Sequence, residues 1–341
     1  MDSLLPSEKR ARVIVNTDAK NEADDQFAIV HALLTPSFEI HGIIPAHFGE
    51  RRTTESLRES RAEVDKLLGL MGWEGWLRVA DGAPRALPDE ATPLPSPGSA
   101  LIVEEALKND LRPLYVLFYG PLTDMASALL EEPRIAGHNL IVVWIGGGPW
   151  PDGGPEFNLS NDIGAANVVM RSPLEVWQIP SSVYKRFSVS YAELLERVWP
   201  HERLGRYLVE QLVDFNARHV DRPIEFRSLG DSPAVGVVMA PECGAATMRP
   251  AAPCVAIILP GGRGLAATPS RGPDEEKGDQ RARGLKGPAE HWTITWPRPP
   301  RRFSKRVPSP MPAHGHRPSA KVVNHAGQRP SRRGQAPCAT E

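Results

Sequence analysis

The stretch Arg12-Val13-Ile14-Val15-Asn16-Thr17-Asp18-Ala19-Lys20-Asn21-Glu22-Ala23-Asp24-Asp25-Gln26-Phe27 decides the fold. It opens as a β-branched apolar run that stops abruptly at polar residues, as a buried parallel strand does. Beyond the acids, Phe27, Ile29, Val30, Leu33 and Leu34 recur at helical spacing until Pro36 ends them. Strand, acidic turn and helix together make the first half of a βα unit.

The same alternation continues outward. Strands are expected at 39–44, 114–118, 140–145 and 175–179, with helices at 54–71, 122–130 and 162–170 between them. This order implies right-handed βαβ units: an α/β fold with a mainly parallel, Rossmann-like central sheet flanked by helices. Ligands of such sheets bind at the carboxyl ends of strands. The polar stretches 16–25, 46–50, 119–120 and 146–158 fall there. Residues 81–98, with five prolines, read as a surface loop, and helices at 191–197 and 202–220 as a lobe on the sheet.

The chain has 341 residues and a formal net charge of −1, which speaks against a chain-wide nucleic-acid or membrane-surface role. Its charge is uneven: residues 261–341 hold 16 Lys/Arg against 6 Asp/Glu. The expected division is an α/β domain over 1–250 and a Pro/Arg/Gly-rich tail over 251–341, either disordered or translated from an altered reading frame. Basic residues in this tail are scattered and not interleaved with aromatics, so nucleic acid is not the expected partner. Cys243, Cys254 and Cys338 lack the spacing of a zinc site. With no leader-like start and no run of about 18 apolar residues, a cytoplasmic protein without a membrane partner is expected.

Asp24 and Asp25 precede a helix, and Asp18 follows a strand. Carboxylates at a helix N-terminus can be simple caps, each stabilising by about 0.3–1 kcal/mol. Three converging acids also repel one another, and a bound cation relieves that best. Oxygen ligands favour Ca²⁺ or Mg²⁺ over zinc. These residues alone leave both readings open. The glycine clusters 146–148 and 261–264 lack the Lys-Ser/Thr ending of a phosphate-cradling loop.

Residues 13–25 resemble the aspartate-cluster signature of the inosine-uridine nucleoside hydrolase family, in a variant with a longer turn. Three further segments match that family in order: Tyr119-Gly120-Pro121-Leu122-Thr123-Asp124; Glu156-Phe157-Asn158 with Asn161-Asp162-Ile163-Gly164-Ala165-Ala166; and Gly230-Asp231-Ser232-Pro233-Ala234-Val235. The resemblance implies a metal-dependent hydrolase that cleaves the N-glycosidic bond of a ribonucleoside, its small-molecule partner, and it is compatible with a homo-oligomer. It implies that Asp18, Asp25, Asp231 and the backbone carbonyl of Tyr119 ligate Ca²⁺. Asp18 would be the general base, and Asp24, Glu156 and Asn158 would hold ribose hydroxyls. Carboxylates around the sugar suit the chemistry, because glycosidic cleavage develops oxocarbenium-like positive charge.

Three departures from the pattern stand out. Asn16 replaces an aspartate, two extra residues separate Asp18 from Asp24, and Gly230 replaces the histidine that protonates the leaving base in some members. His47, Tyr184 and His219, or stacking on Trp150 or Phe48, are the stand-ins considered. The rival functions are hydrolysis of another sugar conjugate and a catalytically silent sugar- or metal-binding relative.

Overall fold

The computed structural model describes residues 5–149, 152–222 and 224–240. The expected tail, the three cysteines and Trp150 lie outside the described residues.

Five parallel strands form the central sheet: β1 (Ala11–Thr17), β2 (Phe38–Pro45), β3 (Leu114–Phe118), β4 (Leu140–Ile145) and β5 (Glu175–Ile179). Their spatial order is β2-β1-β3-β4-β5. The central strands β3 and β4 are continuous apolar runs because helices cover both faces of the sheet, whereas the edge strands β2 and β5 also carry polar residues, Glu39 and His41 in one and Glu175 and Gln178 in the other. Side chains alternate between those faces. Val13, Val15, Leu117, Val143 and Ile145 point into one core layer, and Ile14, Val116, Phe118, Val142 and Trp144 into the other.

The first layer is closed by α1 (Asp25–Leu34), α2 (Ser56–Met71), α9 (Glu202–His219) and α10 (Ser232–Met239), which contribute Ile29, Val64, Leu67, Leu212 and Val235. The second is closed by α3 (Pro97–Ala106), α4 (Thr123–Glu131) and α6 (Ile163–Arg171), through Leu101, Ile102, Met125 and Val169. The remaining pieces are short: α5 (Phe157–Asn161), α7 (Ser181–Tyr184), α8 (Tyr191–Arg197), and an antiparallel pair of β6 (Ser188–Ser190) with β7 (Phe226–Ser228). No helix among the described residues is long and apolar enough to cross a membrane.

Two expectations are refined. The proline-rich stretch 81–98 is not wholly loop, because Ser96 starts α3 with a reciprocal capping box to Ser99 and Pro97 occupies its first turn. Nor does the loop before it only skirt the surface. Ala83 is fully buried, and its N–H donates to Asp124 at 2.8 Å.

The strand order has a functional consequence. The chain leaves β1 toward β2 on one side and returns through β3 on the other, so connections diverge between β1 and β3. Crevices at such a switch point, outside the carboxyl ends, are where open α/β sheets bind ligands. Asp18 follows β1 and Tyr119 follows β3, one on each lip.

Candidate functional site

At this crevice Asp18, Asp24, Asp25 and Asp231 meet. Asp24, Asp25 and Asp231 are all buried and offer carboxylate oxygens within 4.8 Å of one another. Asp18 is 1% exposed, and its Oδ2 has no hydrogen-bond partner. Gly120 makes room for it: a Cβ at that position would lie 2.9 Å from Asp18 Cγ. Burial, reinforced by the charges of Asp25 and Asp24, pushes the Asp18 carboxyl well above the ordinary range. Asp25 and Asp231 shift the same way, first through burial and then through Asp24. Asp24 is pushed up to about 7, by burial and the nearby Glu22, against the opposing Arg227 charge.

The second coordination oxygens are spoken for. Thr17 Oγ1 donates to Asp25 Oδ1 at 2.6 Å, and the Gly230 N–H donates to Asp24 Oδ2 at 2.8 Å. Four buried acids, with one carboxylate oxygen orphaned, form an oxygen-donor set that suits a hard divalent cation. A bound cation would offset both the burial and the mutual repulsion that raise these pKa values.

The turn that carries the acids is held residue by residue. Gln26 Nε2 donates to the Ala19 carbonyl at 2.7 Å, Lys20 Nζ reaches Glu63 Oε2 at 2.9 Å, and Arg52 Nη1 donates to the Asn21 carbonyl at 2.6 Å. Glu22 pairs with Arg227, and Gln211 Nε2 donates to the Ala23 carbonyl at 2.8 Å. The two-residue extension is therefore a tethered turn, and it adds Glu22 to the rim of the acid group. Arg52, Glu63, Gln211 and Arg227 were not singled out in the sequence, since nothing local marks a residue that acts across such separations.

On the facing lip, Glu156 caps α5. Its Oε2 accepts from the N–H groups of Gly147 and Leu159, both at 2.9 Å, and its Oε1 accepts from Tyr184 Oη at 2.8 Å. Asn158 Nδ2 donates to the carbonyls of Tyr119 at 2.6 Å and Ile145 at 2.8 Å. Both Asn158 donor hydrogens are thus used, which leaves its Oδ1 as the atom able to receive a sugar hydroxyl. The Tyr119 carbonyl keeps one lone pair for a further partner.

Asn16 acts as a donor. Its Nδ2 gives a 2.9 Å hydrogen bond to Asp124 Oδ2, whose other oxygen accepts from Ala83 N–H and, at 2.7 Å, Ser96 Oγ. Of the stand-ins for a leaving-group acid, His47 has both ring nitrogens engaged, Nδ1 by the Gly49 N–H and Nε2 by Thr123 Oγ1. Burial lowers its pKa to about 4. His219 lies on the exposed end of α9 against the Phe215 carbonyl, and Phe48 is buried. Among the described stand-ins it is Tyr184 that borders the crevice: a Cβ on Gly230 would meet its Cδ2 at 3.0 Å and Asp24 Oδ2 at 2.9 Å. Burial and the Glu156 charge raise the Tyr184 pKa, so the phenol stays protonated as a hydrogen-bond donor.

A parallel α/β sheet with an acid-lined crevice at its switch point defines the class: a Rossmann-like protein with an oxygen-donor cation cradle. The chain belongs to the family of inosine-uridine preferring nucleoside hydrolases, whose family model matches residues 13–283. Uridine nucleosidase 1 of Arabidopsis thaliana is 26% identical over 209 residues, 55% of this chain and 61% of that protein. The chain therefore spans less than two thirds of that relative's length. Among solved structures, a purine-preferring ribonucleoside hydrolase from Gardnerella vaginalis superposes with a TM-score of 0.56 at 21% identity, covering 68% of this chain and 81% of the other. A plant nucleoside hydrolase gives 0.55 at 16% identity, over 68% and 79%. Both share the fold.

Proposed function

We propose that the chain hydrolyses the N-glycosidic bond of ribonucleosides, releasing base and ribose, with Ca²⁺ as its cofactor. The observation that carries this reading is the meeting of Asp24, Asp25 and Asp231 beside the orphaned Asp18 oxygen, across a crevice from Glu156 and Asn158. Asp18, Asp25, Asp231 and the Tyr119 carbonyl would hold the cation, which when bound lowers the pKa of a water in the crevice.

Each side chain then has a task that its environment supports. Asp18 takes the proton from the attacking water: its Oδ2 has no protein partner, and a bound cation would favour the ionised carboxylate that a base requires. Asp24 and Glu156, each already anchored by a protein donor, accept hydrogen bonds from ribose hydroxyls, and Asn158 Oδ1 accepts another. The surrounding carboxylates stabilise positive charge as it develops on the sugar. Thr17 and Gly230 fix the acids in advance, so little reorganisation accompanies the reaction.

The test pairs Ca²⁺ titration calorimetry with a panel of purine and pyrimidine ribonucleosides, followed by release of reducing sugar. Turnover that depends on Ca²⁺ and falls at least a hundredfold in Asp18→Asn is the expected outcome. Intact Ca²⁺ binding without turnover of any nucleoside would establish a silent relative instead. Undiminished turnover in Asp18→Asn would remove it as the base.

A further inference from the structure

The loop after β2 carries two arginines that the chemistry above does not use. Arg52 donates to the Asn21 carbonyl inside the acidic turn, and its Cζ lies 5.7 Å from the centroid of the Phe157 ring. Arg51 stands 5.9 Å from the same centroid and donates to Ser160 Oγ at 2.7 Å and its carbonyl at 3.2 Å. Phe157 separates Glu156 from Asn158 in the chain. Arg52 thus bridges the acidic turn and the Phe157 ring that lies between Glu156 and Asn158 in the chain.

These charges are not spent within the protein. Both arginines are exposed, and among the described residues neither guanidinium lies within ion-pair distance of a carboxylate. Arg227, on the opposite rim, does neutralise an acid, Glu22. The loop that presents the pair is anchored from below. Gly49, at φ +76°, packs so closely on Asn161 that a Cβ would lie 2.7 Å from its Oδ1, and its N–H is held by the buried His47. Two unneutralised cations gathered on one aromatic ring repel each other, and a shared anion relieves that repulsion. Guanidinium forks match phosphate oxygens in geometry as well as charge.

We propose that Arg51 and Arg52 form an anion subsite at the mouth of the crevice that receives the 5′-phosphate of the substrate. The preferred substrate class is then nucleoside 5′-monophosphates over free nucleosides. This deepens, and rests on, the reading of the site as an N-ribosyl hydrolase. Charge assigns the position: a phosphate on a ring hydroxyl would meet the Asp24 and Glu156 carboxylates proposed to hold those hydroxyls, so the exocyclic carbon is the position assigned to it, on the side of the crevice where Arg52 meets Asn21 and Phe157.

The experiment compares kcat/KM for uridine with uridine 5′-monophosphate, and inosine with inosine 5′-monophosphate, in Ca²⁺ at low and high salt. The phosphorylated form is expected to be favoured roughly tenfold or more, the factor that one charge-assisted hydrogen bond supplies. That preference should shrink with added salt and collapse toward parity in Arg51→Gln/Arg52→Gln. Calorimetric binding of ribose 5-phosphate against ribose reads the subsite without catalysis, and tighter binding of the phosphate that is lost in the double variant is expected. A wild-type preference at or below parity, or one that survives in the double variant, overturns the subsite while leaving the hydrolase reading in place. If neither form is cleaved but ribose 5-phosphate binds through the arginines, the subsite stands and the hydrolase reading fails. If neither sugar binds and neither form is cleaved, both fail.

Discussion

Removing the Glu63 carboxylate should loosen the acidic turn from a distance. Glu63 lies in α2, 4% exposed, and gathers three donors: Lys20 Nζ at 2.9 Å, Gln26 Nε2 at 3.1 Å and the Tyr207 hydroxyl of α9. Lys20 lies inside the turn that bears Asp18, Asp24 and Asp25, and Gln26 follows it directly, so one buried acid ties the turn to α2 at two points. In Glu63→Ala, Lys20 is 44% exposed and regains water, so its lost ion pair counts for little. The Tyr207 hydroxyl and one Gln26 hydrogen bond are left short of an acceptor, which costs about 1–3 kcal/mol each, and the vacated space adds somewhat more. A total of roughly 2–6 kcal/mol should appear as a lower urea midpoint with an unchanged slope. Glu63→Gln keeps an acceptor for Tyr207 and should lose only about 1 kcal/mol. The functional readout is Ca²⁺ affinity by titration calorimetry, expected to fall about tenfold in Glu63→Ala, equivalent to about 1.4 kcal/mol, and to recover partly in Glu63→Gln. If Glu63→Ala loses stability but binds Ca²⁺ within about twofold of wild type, the tether does not set the geometry of the acids.

Stability of the cation-free protein should depend on pH in a definite direction. Asp24 has a native pKa raised from 3.8 to about 7, and Asp18, Asp25 and Asp231 move the same way. The native state then holds more protons than the unfolded chain, so this stability is full below about pH 4 and is lost as pH rises through about 7. In chelator, the Tm should fall from pH 5 to pH 8, and saturating Ca²⁺ should flatten the dependence; a chelated Tm that rises across that window contradicts the burial of these acids. Gly230→Ala forces a Cβ to 2.9 Å from Asp24 Oδ2 and 3.0 Å from Tyr184 Cδ2. It should cost about 1–3 kcal/mol in unfolding free energy and weaken Ca²⁺ binding, both measurable on one preparation. Tyr184→Phe keeps the ring but frees Glu156 Oε1, so KM should rise severalfold while stability changes by about 1 kcal/mol at most. A loss in kcat with KM unchanged would instead make the phenol a participant in the chemistry.

Several elements were readable before any coordinates. The strands 114–118, 140–145 and 175–179 occupy the expected residues, the first two because a parallel strand covered on both faces is an unbroken apolar run. The first strand and helix extend only slightly beyond the apolar residues that announce them. Helix α3 carried a legible start in Ser96, Pro97 and Ser99, hidden by the prolines before it. The pair β6 and β7 had no signal to offer, since three-residue strands show no period. At the site, Asp18, Asp24, Asp25, Asp231, Glu156 and Asn158 were all named from motifs that lie beside strand or helix ends. The structure brings the four aspartates into one crevice and sets Glu156 and Asn158 on its facing lip.

The sequence by itself determined the alternating α/β pattern and the polar segments at strand ends, because hydrophobic period and local punctuation are properties of near neighbours. Only the tertiary structure decided which atoms remain available there. It spends both hydrogens of the Asn158 amide on carbonyls, occupies both His47 nitrogens, and joins Lys20 to Glu63, Asn21 to Arg52 and Glu22 to Arg227. Those pairings depend on where separate elements dock on the sheet. Long-range packing, and not local propensity, therefore gathers a legible row of acids into one site.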